Sequence, residues 1–84
     1  MTLDELKTTN RVIGIRQTLK VLKRNEVHRL FLASDAQARL VSEILAQAKE
    51  RCIAIEQGHS MKELGAACGI KVGAAAVAVL KKVR

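Results

Sequence analysis

The chain contains no proline and a single aromatic residue, Phe31. Without proline, no helix or strand is interrupted by a missing amide donor, so punctuation falls to Gly, Asn and Asp. Without aromatics, the protein cannot stack bases at several points, as single-strand binders and sheet-surface RNA binders do. The two cysteines, Cys52 and Cys68, form no close CxxC pair, and neither joins a Cys/His cluster with metal-like spacing. His28 and His59 are also far apart in sequence. Both cysteines read as small apolar residues in a reducing compartment, and neither a metal nor a cofactor is expected. No apolar run approaches the ~20 residues that cross a bilayer. The opening MTLDELKTTN is acidic and polar, unlike a signal peptide. A cytoplasmic protein with no membrane partner is therefore expected. No His/Asp/Ser, paired-carboxylate or metal constellation appears, which argues against an enzyme. Asp35 and Glu63 read most simply as helix-start carboxylates.

The 84 residues allow one small domain, 1–84, with room for one core. Hydrophobic residues make up 49% and charged residues 27%, the balance of a folded chain. Fifteen Lys and Arg against eight Asp and Glu leave a net charge of +7. Such an excess surrounds a small domain with positive potential and suits a polyanion: RNA, DNA or an anionic membrane surface. A solvated basic surface with no partner is the plain alternative. Together with the scarcity of aromatics, the charge points to phosphate contacts, polar contacts to base edges and the shape of a folded target.

Along the chain, Leu3 to Lys7 reads as a short helix and RVIG as a short strand. Ile15 to Arg24 is an amphipathic helix. Ile15, Leu19 and Leu22 form its apolar arc, with Thr18 and Val21 at the flank, and Arg16, Gln17, Lys20, Lys23 and Arg24 fill the other side. Val27 to Ser34 is a short buried strand. Ser34 with Gln37 reads as a capping box that opens a helix running to about Arg51, with Leu40, Val41, Ile44, Leu45 and Ala48 on one face. Cys52 to Glu56 is the next strand and QGH a loop. Ser60 with Glu63 is a second capping box that starts a short helix, with Met61 and Leu64 read as core and Gly69 placed to end it. The Ala-rich close is ambiguous by propensity. The alternating order argues for a strand there, which completes an α/β/α sandwich.

Three blocks, GIRQTLKVLKRN, LASDA and SMKELGAACGIKVGAAAVAVL, together resemble the ribosomal-protein superfamily that binds kink-turn RNA, of the L-seven-Ae, L-thirty-e and S-twelve-e type. The resemblance runs from about Val12 to Leu80 and is nearest to the short bacterial ribosomal-protein-like members. It implies an α/β fold, a three-layer α-β-α sandwich with a small mixed four-stranded sheet, whose closing segment is a strand. It implies RNA binding by the helix start and by the loop before the last strand. Many members read Gly-x-Asn-Glu-x-x-Lys at the helix start. Here Gly14 and Lys20 match, and Arg16 and Gln17 stand for Asn and Glu. In the loop stand Ile70, Lys71, Val72 and Gly73, where many members have Glu and Pro in place of Lys71 and Gly73. Lys often follows the capping Ser directly; here Met61 does, and Lys62 comes one later. Gln37 stands where an acidic residue can contact an extruded base.

These residues suit the chemistry. Gly14 leaves a helix N-terminus open to phosphate. Arg16 can fork to a guanine edge or a phosphate. Gln17 both donates and accepts, which fits a base edge. Lys20, Lys62 and Lys71 are point charges for phosphate. Ile70 and Val72 are apolar surfaces for an unstacked base, or core. The expected function is recognition and stabilisation of a kink-turn in folded RNA, with the ribosome as a further candidate partner and the free protein a monomer. A protein-interaction module of the same fold is the alternative.

Overall fold

A computed structural model describes residues 10–81. The helix expected over Leu3–Lys7 and the last three residues of the KKVR tail lie outside this range. Seven elements alternate: β1 (Arg11–Ile13), α1 (Ile15–Lys23), β2 (Val27–Ala33), α2 (Ala38–Glu50), β3 (Ala54–His59), α3 (Met61–Ala67) and β4 (Ala76–Leu80). The strands form one mixed sheet in the order β1-β4-β2-β3. β4 runs antiparallel to both β1 and β2, pairing Ala78 with Val12 and with Leu30, while β2 and β3 are parallel, with Leu30 opposite Ile55. The Ala-rich close is thus a central strand. Burial on both faces leaves no requirement for alternating polarity, which is why AVAVL contains no polar residue.

Alternate residues of the central strands serve two cores. Leu30, Leu32, Ala76 and Ala78 pack with Val21 and Leu22 of α1 and with Val41, Ile44 and Ala48 of α2. Phe31, Ala33, Val77 and Val79 pack with Leu64 and Ala67 of α3 and with Cys68. The result is three layers, helix pair, sheet and single helix. The small side chains of β4 let both helical layers come close to the sheet.

Several local expectations are corrected. The buried side chains of α1 are Thr18, Val21 and Leu22, whereas Ile15 and Leu19 are only half-buried; the inward face is turned toward what was read as the flank. Ser34 and Gln37 form no capping box. Gln37 is itself the N-cap of α2 and makes no side-chain cap bond. Both the amide and the hydroxyl of Ser34 donate to the carbonyl of His59, at 2.8 and 3.3 Å, so Ser34 continues the sheet edge and does not open the helix. The third strand starts at Ala54, two residues late, because Cys52 takes a left-handed turn with φ +55° after α2. Cys52 is exposed, and only Cys68 is buried. Gln57 to His59 are strand, not loop. The register passes from Phe31–Glu56 to Ala33–His59, so β3 carries one extra residue. Gly58, at φ +102°, absorbs that bulge without ending the strand.

Candidate nucleic-acid interface

The topology fixes where the chemistry gathers. Strands β1, β2 and β3 point the same way and β4 points the opposite way. The ends of the first three and the start of the fourth therefore share one edge of the sheet. Here lie the start of α1, the turn before α2, the start of α3 and the loop 70–75.

Backbone bonds hold these segments together. The Gly14 amide donates to the Ala76 carbonyl at 2.9 Å, so the start of α1 is fixed to the start of β4. Ala33 donates to Ala75 at 2.9 Å, and Ala74 donates to Met61 at 2.9 Å. Gly14 has φ +110° and ψ 156°, a region that residues with a Cβ rarely enter. No side chain caps α1, and its first turn contains no acidic residue. The first-turn amides thus keep the positive end of the helix open. Arg16, Gln17 and Lys20 are exposed beside it, with Arg16 and Lys20 one turn apart.

The loop opposite is held as tightly. The Ile70 amide donates to the Gly65 carbonyl at 3.0 Å. A Cβ on Gly65 would lie 2.1 Å from the Val72 carbonyl oxygen, and one on Gly73 would lie 3.0 Å from the Met61 Cβ. The loop can approach α3 this closely only because both positions are glycine. Its two apolar side chains then part company. Ile70 is half-buried against the core. Val72 is 70% exposed, the one large apolar side chain so exposed among the described residues. Lys71, Lys62 and Gln37 are exposed at the same end. Leu64 is core, and Met61 is partly so. The sheet edge thus collects Gly14, Arg16, Gln17, Lys20, Gln37, Lys62, Lys71 and Val72, with Ile70 turned inward below them. Lys23 and Arg24 are carried away toward the other end of α1.

Two further residues hold this surface in place: Arg11, which the sequence does not single out, and Asp35, which it reads only as a helix-start carboxylate. The Arg11 guanidinium donates through Nη2 to the Cys68 carbonyl at 2.7 Å, tying the end of α3 to β1. Its Nε is buried with no partner among the described residues. Asp35 is a helix-start carboxylate, but of a distant helix: its Oδ1 accepts from the Met61 amide at 2.8 Å. The capping box of α3 forms as read, with the Glu63 amide donating to the Ser60 hydroxyl at 3.0 Å and the Ser60 amide to Glu63 Oε1 at 2.8 Å. On β3, Glu56 pairs with His59. Among the described residues, no group of three His, Cys, Asp or Glu is placed to hold a metal ion. No described helix is long and apolar enough to cross a membrane.

The family model of the ribosomal protein L7Ae/L30e/S12e/Gadd45 family matches residues 2–84. The chain belongs to this family. An RNA-binding protein of Halalkalibacterium halodurans is 48% identical over 75 residues, covering 89% of this chain and 92% of the relative. The RNA-binding protein YbxF of Geobacillus stearothermophilus is 43% identical over 70 residues, covering 83% of this chain and 85% of the relative. Among solved structures, the Giardia lamblia 15.5kD RNA binding protein superposes with a TM-score of 0.87 at 20% identity, over 95% of this chain and 71% of that one. At that identity the match speaks for the fold, which in this member of the L7Ae family is the sandwich described above.

Proposed function

We propose that the protein recognises and stabilises kink-turn motifs in folded RNA, such as ribosomal RNA or a riboswitch-like element. One observation carries the reading. An uncapped helix start, exposed cations and an exposed Val72 share one edge of the sheet, on backbone that is bonded into place. Membership of the L7Ae family supports it, as do bacterial relatives that bear the name RNA-binding protein. Those names are of binding proteins, and the chain is not an enzyme.

The arrangement suits a bent RNA better than a straight one. A kink brings two phosphate strands together, and their repulsion is relieved by a helix N-terminus flanked by Arg16 and Lys20. Gln17 is placed to donate to and accept from a base edge. Val72 offers an apolar surface to a base that the kink expels from the stack. Because these contacts exist only on the kinked form, binding shifts the RNA population toward it. Association with the ribosome and a cytoplasmic site of action belong to the same proposal.

The test is a gel shift with a kink-turn RNA and a matched unkinked duplex. The wild type favours the kinked RNA. Gln17→Ala lowers affinity for it by about 1–3 kcal/mol and hardly changes duplex binding. Equal losses on both RNAs would remove the base-edge contact. Equal wild-type affinities for the two would leave the fold as a module for protein partners.

A further inference from the structure

The other end of the sheet carries a second collection of cations with a different construction. Helices α1 and α2 both finish there in left-handed turns, through Asn25 at φ +58° and Cys52 at φ +55°. Each turn is closed by its own backbone. The Glu26 amide donates to the Val21 carbonyl at 3.1 Å, and the Ile53 amide to the Ala48 carbonyl at 3.0 Å. Basic side chains near a helix end commonly bond its last carbonyls. Here the turns occupy much of that role; Arg51 alone of the cations nearby bonds a last-turn carbonyl, that of Gln47, among the described residues.

Between the turns lies an open depression of about 200 Å³, whose polar lining comes from Asn25, His28, Arg51, Cys52 and Lys81. Among the described residues no carboxylate lines it; Glu26 and Glu50 are exposed beside Asn25 and Arg51 in sequence. The Arg51 guanidinium is held in place. Its Nε donates to Asn25 Oδ1 at 3.1 Å, and its Nη1 donates to the carbonyl and side chain of Gln47. Glu50 approaches Nη1 only to 4.0 Å. Nη2 has no partner among the described residues. The backbone of Lys81 is fixed through its amide to the Glu26 carbonyl at 2.8 Å. The side chains of Lys81 and His28 are exposed and also lack partners among the described residues. An oriented guanidinium, an ammonium and an imidazole thus border one polar hollow whose described lining holds no carboxylate, the long Glu50–Arg51 pair lying outside it. A tetrahedral oxyanion has the charge and the acceptor oxygens to match them.

We propose that this hollow is a second phosphate-binding site, and that it takes a backbone phosphate of an RNA segment other than the one held at the start of α1. The phosphate chemistry stands on the hollow alone; its assignment to RNA rests on the function proposed above. The seven-residue β2 separates the two ends by about 23 Å. The protein then pins two RNA segments, one at each end of its sheet.

Inorganic phosphate is the first probe, titrated into the ¹⁵N-labelled full chain at constant ionic strength. Saturable shifts are expected at the amides of Asn25, His28, Cys52 and Lys81. Lys81→Glu should weaken them at least fivefold. Arg39→Glu, at the opposite end of α2, changes the net charge equally and should leave them in place. Absent or unsaturable shifts, or equal weakening by both variants, overturn the site. The second probe is a short labelled RNA duplex, offered to protein already saturated with kink-turn RNA. The wild type captures the duplex. Lys81→Glu keeps the kink-turn RNA and loses capture at least fivefold. Capture undiminished by Lys81→Glu overturns the RNA assignment and leaves a site for free phosphate. If the wild type does not bind kink-turn RNA, the proposed function fails, while the phosphate titration still decides the hollow.

Discussion

Val72 offers a test that separates binding from folding at the proposed interface. At 70% exposure its side chain contributes little to the core, while the loop under it is held by backbone contacts that a change of side chain leaves alone. Val72→Ala should therefore shift stability by no more than about 0.5 kcal/mol in urea unfolding. It should weaken kink-turn RNA binding by about 1 kcal/mol, the scale of burying a methyl-bearing side chain against a base. Ile70→Ala should do the reverse, costing stability through the core it half fills. The pair shows where reading by residue type stops. Two apolar residues one apart in a loop offer the same sequence signal. The fold separates them: Ile70, whose amide is bonded to Gly65, packs on the core, and Val72 stays exposed. Gly14, Arg16, Gln17 and Lys20 were easier to read, because helical periodicity by itself assigns them to the start of α1 and its solvent side. Thr18 and Val21 show the limit of that periodicity. It set the width of the apolar arc but placed its centre about one position away from the face that α2 and the sheet cover.

The serines before α2 and α3 carry the same local signature with different outcomes. Ser60 accepts from the Glu63 amide and caps α3 reciprocally. Ser34 is bonded across the sheet to His59, and α2 begins four residues later at Ala38. Ser60→Ala should cost about 1 kcal/mol of stability and Ser34→Ala only a few tenths, a difference visible in urea midpoints. A capping box is a local motif, and the parallel partner of β2 outcompetes it at Ser34. The same long-range pairing carries β3 through Gly58, which by itself reads as a loop residue. Elements whose ends are set locally, such as α1 and α3, were thus legible. Those set by a strand distant in sequence were found but misplaced at their boundaries. Gly65 and Gly73 mark a close contact between α3 and the loop after it. Gly65→Ala places a methyl 2.1 Å from the Val72 carbonyl, and backbone on one side or the other must move. It should destabilise the fold by about 1–3 kcal/mol. RNA affinity should fall in a folded sample as well, because the displaced segment carries both Lys71 and Val72. Thermal unfolding and a gel shift on the same preparation separate the two effects.

At the scale of the whole molecule, the strand order does what no single motif can. It brings the ends of β1, β2 and β3 to the start of β4, so residues as far apart as Gly14 and Val72 share one edge. The net charge of +7 supplies a field that would attract any polyanion; on the proposed function, the edge adds a shape that only some can meet. The two contributions respond differently to salt. Phosphate contacts release counterions from the RNA, so binding weakens as the salt concentration rises. Contacts to base edges and the seating of Val72 release none. With Arg16, Lys20, Lys62 and Lys71 as the phosphate contacts, the log–log slope of affinity against salt for kink-turn RNA should lie near −2 to −4. Lys20→Ala should reduce its magnitude by about one, while Val72→Ala should lower affinity at every salt concentration without changing the slope. The preference for kinked over unkinked RNA should then persist at high salt, because it arises from the contacts that salt does not touch. A preference that vanishes along with overall affinity would mean that the field alone holds the RNA and that the geometry of the edge plays no part in choosing it.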